Sequence, residues 1–370
     1  SHVVYWIPAV LLFYIPSGMV VVHLNREMPL EGGLYQWAKL RFGGFVGFLT
    51  AVNVWAAMLL ILTSLVPAVT DNLAYLIGAS GAWIADSNTI AATVAIAAMT
   101  SYAFMSLRGM DVAKWVHNIG GVSLLLLVCG MLAFAIPRWM SGTATVAPVS
   151  FVPPAMTLLN INLLGKMGFG AFSGFDACAI FSAEVQDQDV ARTIRKSVWI
   201  AAPLITLFYT LGTACVLAFS TPDKIDLISS SAQVLSLGAS TYGMGVWPAT
   251  LGAAVLILGT VCSGSLYFNA LARLPMVAGW DRLVPETMSR LHPRYKTPAG
   301  SIVIVAVLGV GLSIAGHSGV GAQEAFQLIN SAGMVCWGLA YMSMFAIPLL
   351  SPGERPSWGI RIAAISGFAM

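Results

Sequence analysis

The sequence predicts an all-α bundle of helices that cross a membrane many times. Three observations carry this expectation: an apolar composition, a succession of apolar runs of spanning length, and basic residues confined to alternate connections. Of the 370 residues, 58% are hydrophobic and only 9% are charged. Soluble domains carry roughly 25% charged residues, so a water-facing surface cannot be built from this composition. Mean hydropathy is +0.83. The net charge of +3 says little by itself, and no nucleic-acid partner is expected.

A helix needs about 20 apolar residues to cross the hydrocarbon core of a bilayer. Runs of this kind lie at 3–24, 44–69, 89–107, 115–137, 156–183, 197–219, 246–272, 299–316 and 324–349, and a tenth begins near 359. Each is bounded by Pro, Gly or charged clusters, as helix ends in membranes usually are. Trp37, Trp83, Trp115, Trp139, Trp247, Trp280 and Trp358 fall near these boundaries, where an aromatic belt is expected.

The basic residues set the orientation. Fifteen of the 18 Lys and Arg residues, from Arg26, Lys39 and Arg41 to Arg355 and Arg361, fall on the side reached after the first, third and later odd spans. Only Arg138 and Lys224 fall on the other side, and Lys166 lies within a span. Cytoplasmic loops carry the excess of Lys and Arg, so the rich side is expected to be cytoplasmic and the protein multi-pass in the cell membrane. A miscounted helix would scramble this alternation. The first span then runs inward, which implies an odd number of spans, most simply one, before Ser1. The chain opens without Met and stops inside an apolar run, so it reads as a piece cut within or beside membrane helices.

Cys129, Cys178, Cys215, Cys262 and Cys336 lie singly in apolar runs without CxxC spacing, as small core hydrophobes do. The five histidines form no helix-face pair. No metal, cofactor or enzymatic activity is expected.

The chemistry concentrates in the fifth run, at Gly165-Lys166-Met167-Gly168-Phe169-Gly170-Ala171-Phe172-Ser173-Gly174-Phe175-Asp176. Each glycine costs a helix interior about 1 kcal/mol against alanine, so this crossing is expected to break. Broken backbone at membrane depth survives only where it lines a cavity or is buried in protein. In secondary transporters such half-helices hold a substrate between free N–H groups and unwound carbonyls. Alternatively, the glycines serve only close helix packing. A carboxylate at the bilayer centre costs about 2.5–3.5 kcal/mol, so Asp176 is expected to titrate a proton, bind an ammonium group or cap the following half-helix. Lys166 either snorkels outward or lines a vestibule that favours anionic substrates.

Three stretches resemble the amino acid–polyamine–organocation (APC) transporters. Pro29-Leu30-Glu31-Gly32-Gly33-Leu34-Tyr35-Gln36-Trp37 with Phe42-Gly43 is similar to the loop after that family's second helix. Phe172-Ser173-Gly174-Phe175-Asp176 with Ala183-Glu184 resembles its broken sixth helix. Ala272-Arg273-Leu274-Pro275, Asp281-Arg282-Leu283-Val284-Pro285, His292-Pro293-Arg294 and Thr297-Pro298 resemble its eighth-to-ninth connection. The resemblance covers essentially the whole chain. It implies two five-helix repeats of inverted topology, the remainder of the first at 1–137 and the second at 156–349. The chain then runs from the second helix to the start of the eleventh.

Carried over residue by residue, the resemblance places the substrate at Gly170, Ala171, Phe172, Ser173, Gly174 and Asp176; Phe172 is either an aromatic gate or a core-packing ring, and Lys166 remains the vestibule candidate. Ser263 and Ser265 match hydroxyl positions that coordinate sodium in coupled relatives. Membrane serines more often bond their own backbone. Ser123 or Leu124 stands where some members carry a coupling lysine, and Leu30-Glu31 departs from the usual acid directly after proline.

The implied activity is alternating-access transport of an amino acid, by antiport or proton-coupled symport. Polyamine transport and a non-transporting nutrient sensor are the alternatives. The expected partners are a small-molecule substrate and the lipid bilayer. No cysteine lies on an outer loop, so no disulfide-linked partner is expected.

Overall fold

The computed structural model describes residues 5–30, 32–85, 87–141, 157–158, 161, 164–165, 170–176, 190–221, 224–226, 228–280, 282–317, 322–350 and 356–370. Within these the chain forms helices α1 (Trp6–Glu27), α2 (Leu34–Phe42), α3 (Gly44–Ile77), α4 (Asn88–Arg108), α5 (Met110–Met140) and α6 (Val190–Phe219). There follow α7 (Ser230–Thr241), α8 (Trp247–Trp280), α9 (Glu286–Ser289), α10 (Ala299–His317), α11 (Ala322–Leu349) and α12 (Trp358–Ala369). Among the described residues, eight of these are long and apolar enough to cross a membrane, and α12 is a shorter apolar helix. The protein is therefore an all-α polytopic bundle. The expected fifth span at 156–183 lies mostly outside the described residues.

Helices in lipid gain nothing by hiding apolar surface from hydrocarbon, so they associate through close packing and hydrogen bonds. The largest fully buried side chains are accordingly rings: Trp37, Trp337, Tyr14, Tyr35, Tyr341, Phe13 and Phe172. Leu126, Val307 and Val335 are more than half exposed, a surface suited to lipid and not to water. The long α3 is the central post, packed against both α8 and α11. Further contacts join α5 to α8, α4 to α10, and α1 to α6 and α12.

A short helix, α2, packs against one end of the post. Gly43, at φ +88°, turns α2 back onto α3, a conformation that only glycine adopts without a steric penalty. At the other end Tyr75 of α3 donates to Asp226 Oδ2 at 3.1 Å. The other Asp226 oxygen accepts from the N–H groups of Ile228 and Ser229, both at 2.9 Å, just before α7.

The tryptophans divide into two groups. Trp83, Trp115, Trp247 and Trp358 are exposed at helix ends, as an interfacial belt requires. Trp37 departs from that expectation: it is fully buried and its indole N–H donates to Met28 O at 2.9 Å, clamping the turn before α2. Cys215 and Cys262 are buried as expected, whereas Cys129 is exposed on α5 beside Leu125 and Leu126. A small apolar side chain loses nothing by facing lipid. Cys178 lies outside the described residues.

The first helix carries a local irregularity with a readable cause. Within α1, residues Val10–Tyr14 form a π-helical turn just before Pro16. Pro16 has no N–H to offer the carbonyls of the preceding turn. One of these, Leu12 O, accepts instead from the Ser366 hydroxyl of α12 at 2.8 Å. Ser366→Ala is expected to remove about 1 kcal/mol and lower the midpoint of thermal unfolding in detergent. In a Pro16→Ala background, where residue 16 regains its N–H, the same change is expected to lower it less. Equal shifts in both backgrounds would show that proline is not what makes Ser366 necessary.

Candidate functional site

Within the glycine-rich run the helix stops. Gly170–Phe172 are helical, Ser173 and Gly174 are not, and Phe175–Asp176 form a turn. Gly174 sits at φ +125°, outside the range an L-residue adopts readily, so the sequence Ser-Gly marks the point at which the helix stops. Lys166 lies outside the described residues.

One side chain spans the break. The hydroxyl of Tyr341, on α11, accepts from the Gly174 N–H at 2.9 Å and donates to Asp176 Oδ1 at 2.7 Å. A single oxygen thus uses its donor and an acceptor lone pair on two groups that the interrupted helix cannot serve. Asp176 and Tyr341 are each only 1% exposed. Beside Asp176 lie Gly32 and Tyr35 from the turn into α2, Ala51 and Val54 of α3, and Leu274 of α8. Leu274 stands six residues from the end of α8, about 9 Å by helical rise. Asp176 is therefore displaced from mid-membrane toward the end of the bundle that carries Arg41 and Arg273.

Above the break lies a stack of rings. Tyr14 is parallel to Phe172 at 4.3 Å between centroids and to Phe175 at 4.8 Å. Trp6 stacks on Tyr209 of α6 at 5.0 Å and meets Phe172 edge-on at 5.4 Å. The Trp6 indole N–H donates to Thr213 Oγ1 at 2.9 Å, which fixes the plane of that ring. Phe172, 1% exposed, is thus closed in by Tyr14, Trp6 and Tyr209. Each such pair contributes about 0.5–1.5 kcal/mol beyond area burial. The π-turn ends at Tyr14 itself, so the irregular turn of α1 and the broken helix meet at this stack.

Of the residues expected at the site, Gly170 is exposed, Ala171, Ser173 and Gly174 are half-buried, and Phe172 and Asp176 are buried. The backbone between Gly170 and Gly174 is therefore the accessible part, walled by rings on one side and a carboxylate on the other. Ser263 and Ser265 lie on α8. Ser265 stands nine residues along α8 from Leu274, about 14 Å. Its hydroxyl is buried and makes no hydrogen bond among the described residues, while its carbonyl accepts from Asn269 Nδ2 at 2.8 Å.

The sequence reading passed over Tyr341, Tyr14, Trp6 and Tyr209. A tyrosine within an apolar span is itself a signal, because its hydroxyl must find a partner once it leaves water. The identity of that partner, 165 residues away for Tyr341, is not a local property of the chain.

The chain matches the amino acid permease family along residues 1–368. It belongs to that family. It is 24% identical over 359 residues to an "uncharacterized transporter" of Legionella pneumophila, covering 96% of this chain and 76% of that protein. It is 21% identical over 341 residues to the large neutral amino acids transporter small subunit 2 of Oryctolagus cuniculus, covering 90% of this chain and 60% of the relative. It is 23% identical over 288 residues to the arginine/ornithine antiporter of Pseudomonas aeruginosa, covering 75% and 56%. Family membership and the polytopic bundle agree with the APC resemblance.

Tyr341→Phe in this permease removes the hydroxyl and keeps the ring. It is expected to lower stability by about 1–3 kcal/mol, the cost of leaving buried polar groups unsatisfied, seen as a lower unfolding midpoint in detergent. An unchanged midpoint would mean that the hydroxyl does not hold the break.

Proposed function

We propose that this permease moves an amino acid across the cell membrane by alternating access, with the broken helix between Gly170 and Asp176 as its substrate site. The observation that carries the proposal is the Tyr341 hydroxyl joining the Gly174 N–H to Asp176. It holds unwound backbone open inside the bundle, where such backbone is tolerated only beside a cavity or buried in protein. The backbone at Gly170–Gly174, apart from the Gly174 N–H that Tyr341 holds, suits the carboxylate and ammonium of an amino acid, and the ring stack suits its side chain. Gly170, Ala171, Ser173 and Gly174 are the contacting residues, and Phe172 is the ring that gates them. Asp176 acts through Tyr341, fixing the shape of the break or, when protonated, releasing it. Lys166 is assigned to the approach to the site.

The helix contacts fit an inverted repeat, and this supports the alternating-access reading. Let α1, α2, α3, α4 and α5 exchange with α6, α7, α8, α10 and α11 respectively. The contact of α3 with α11 then becomes that of α8 with α5, and both occur. The contacts of α2 with α3 and α11 become those of α7 with α8 and α5, and all four occur. The pairs α3–α8, α4–α10 and α1–α6 map onto themselves. Two equivalent halves can trade places about one site, which is how such transporters open to each side in turn. The side carrying Arg26, Arg41 and Arg273 is assigned to the cytoplasm by its excess of basic residues.

The test is reconstitution of the full-length protein in liposomes, with counterflow of a labelled amino-acid mixture set against a labelled polyamine. Saturable exchange of amino acids is the expected result. Exchange of polyamine alone would replace the substrate class, and no exchange of either would point to a nutrient sensor. Stimulation by internal substrate would assign antiport, and stimulation by an inward proton gradient would assign symport. Asp176→Asn is expected to change the affinity or the pH dependence of uptake. Uptake with wild-type affinity at every pH would remove Asp176 from the mechanism.

A further inference from the structure

The face of α11 that meets the break carries one more polar group. Met334, Trp337 and Tyr341 stand at the i, i+3, i+7 spacing of a single helix face. The two outer members touch the broken segment at its two ends. The Met334 Cε would lie only 2.5 Å from a Cβ on Gly170, so the thioether rests against bare backbone there. Seven residues on, about 10 Å by helical rise, the Tyr341 hydroxyl accepts from the Gly174 N–H. Trp337 comes between these two contacts.

Trp337 is 2% exposed, and its indole N–H is buried with no hydrogen bond among the described residues. The indole N–H groups of Trp6, Trp37 and Trp55 are all bonded, as buried donors generally are. The Trp337 ring packs between two tyrosines, Tyr341 at 6.5 Å between centroids and Tyr267 of α8 at 6.4 Å, edge-on. Tyr267 in turn lies within electrostatic reach of Tyr209 and Asp176. The indole therefore borders the break from α11, while Tyr14, Trp6 and Tyr209 close on it from α1 and α6.

We infer that the Trp337 N–H reads the side chain of the substrate, and that the substrate class is an amino acid with a neutral hydrogen-bond acceptor there, an amide above all. The role of Trp337 rests on the amino-acid transport proposed above, which commits the backbone at Gly170–Gly174 to the carboxylate and ammonium. An indole offers one donor, no acceptor and no charge. A side-chain ammonium or guanidinium has only donors and cannot meet it. A side-chain carboxylate would bring negative charge within one helical turn of Tyr341, and so close to the Asp176 that Tyr341 holds. An amide carbonyl accepts from the N–H without adding charge, and its methylene stem lies against Met334, an unbranched chain that adapts to what it covers. A side chain without an acceptor leaves the N–H unpaired, and that penalty separates it from the amide.

The experiment is counterflow of labelled glutamine by the full-length protein in liposomes, with competition by methionine, which is of similar length and lacks the amide. Methionine is expected to compete about tenfold less well than unlabelled glutamine, the size of one buried hydrogen bond. Trp337→Phe keeps an aromatic ring and drops the N–H. Its ratio of KM for glutamine to KM for methionine is expected to rise about tenfold and erase the preference. A merely structural role would move both KM values together or lower only the maximal rate. If Trp337→Phe fails to fold, benzothienylalanine at position 337, which keeps the shape of tryptophan without the N–H, decides in its place. Wild-type protein that takes methionine as readily as glutamine would overturn the inference. So would a preference that survives loss of the N–H, or an equal rise in both KM values, which would put the N–H on a group common to all amino acids. No exchange of any amino acid would remove the transport reading and this inference with it, whereas the other outcomes leave that reading standing.

Discussion

Within hydrocarbon a peptide group has no water to bond, and leaving one unsatisfied costs several kcal/mol. Most of this chain meets that constraint by being helical. The informative places are those where the helix fails and a side chain from elsewhere supplies what is missing. Tyr341 does so at Gly174, and Ser366 does so at Leu12. Both side chains, one accepting and one donating, come from the C-terminal part of the chain, so the irregular backbone of early and middle spans is completed only when the last helices are in place.

The two irregular segments meet at one stack of rings. A π-turn and a helix break are each unfavourable alone, yet together they bring Tyr14 parallel to both Phe172 and Phe175. Stacked rings resist separation more than they resist sliding, because dispersion and the quadrupole tolerate an offset. Such a contact suits a place where two helices must stay packed while they shift. Asp176, on the other side of the break, is held by a directional bond to one oxygen and does not share that latitude.

Much of the fold was legible in the sequence because the bilayer imposes a coarse and regular code. Runs of spanning length and the alternation of Lys and Arg placed eight of the expected spans where the apolar helices lie. The ends were less accurate: α3 continues to Ile77, beyond the apolar run at 44–69, because an amphipathic turn carrying Asp71, Asn72 and Tyr75 extends the helix. The break was legible from Ser173-Gly174, since only glycine accepts that backbone. Trp37 was misassigned to the interfacial belt because position near a boundary does not reveal whether a ring turns inward. Tyr341 was missed for a related reason: hydropathy counts a tyrosine as one more apolar residue, and its partner lies on a distant span. The sequence motif marked one part of the candidate site, and packing brought Tyr341 and the ring stack beside it.

The bond between Ser366 and Leu12 has a mechanical consequence. It ties a peripheral helix to the turn of α1 before Pro16, whose nitrogen carries no hydrogen to hold it. Rotating α1 far enough to carry Tyr14 off Phe172 would twist the Leu12 carbonyl away from Ser366, only two residues earlier in the chain. Torque applied at the rings is thus delivered to α12, and α12 is part of the outer, lipid-facing wall.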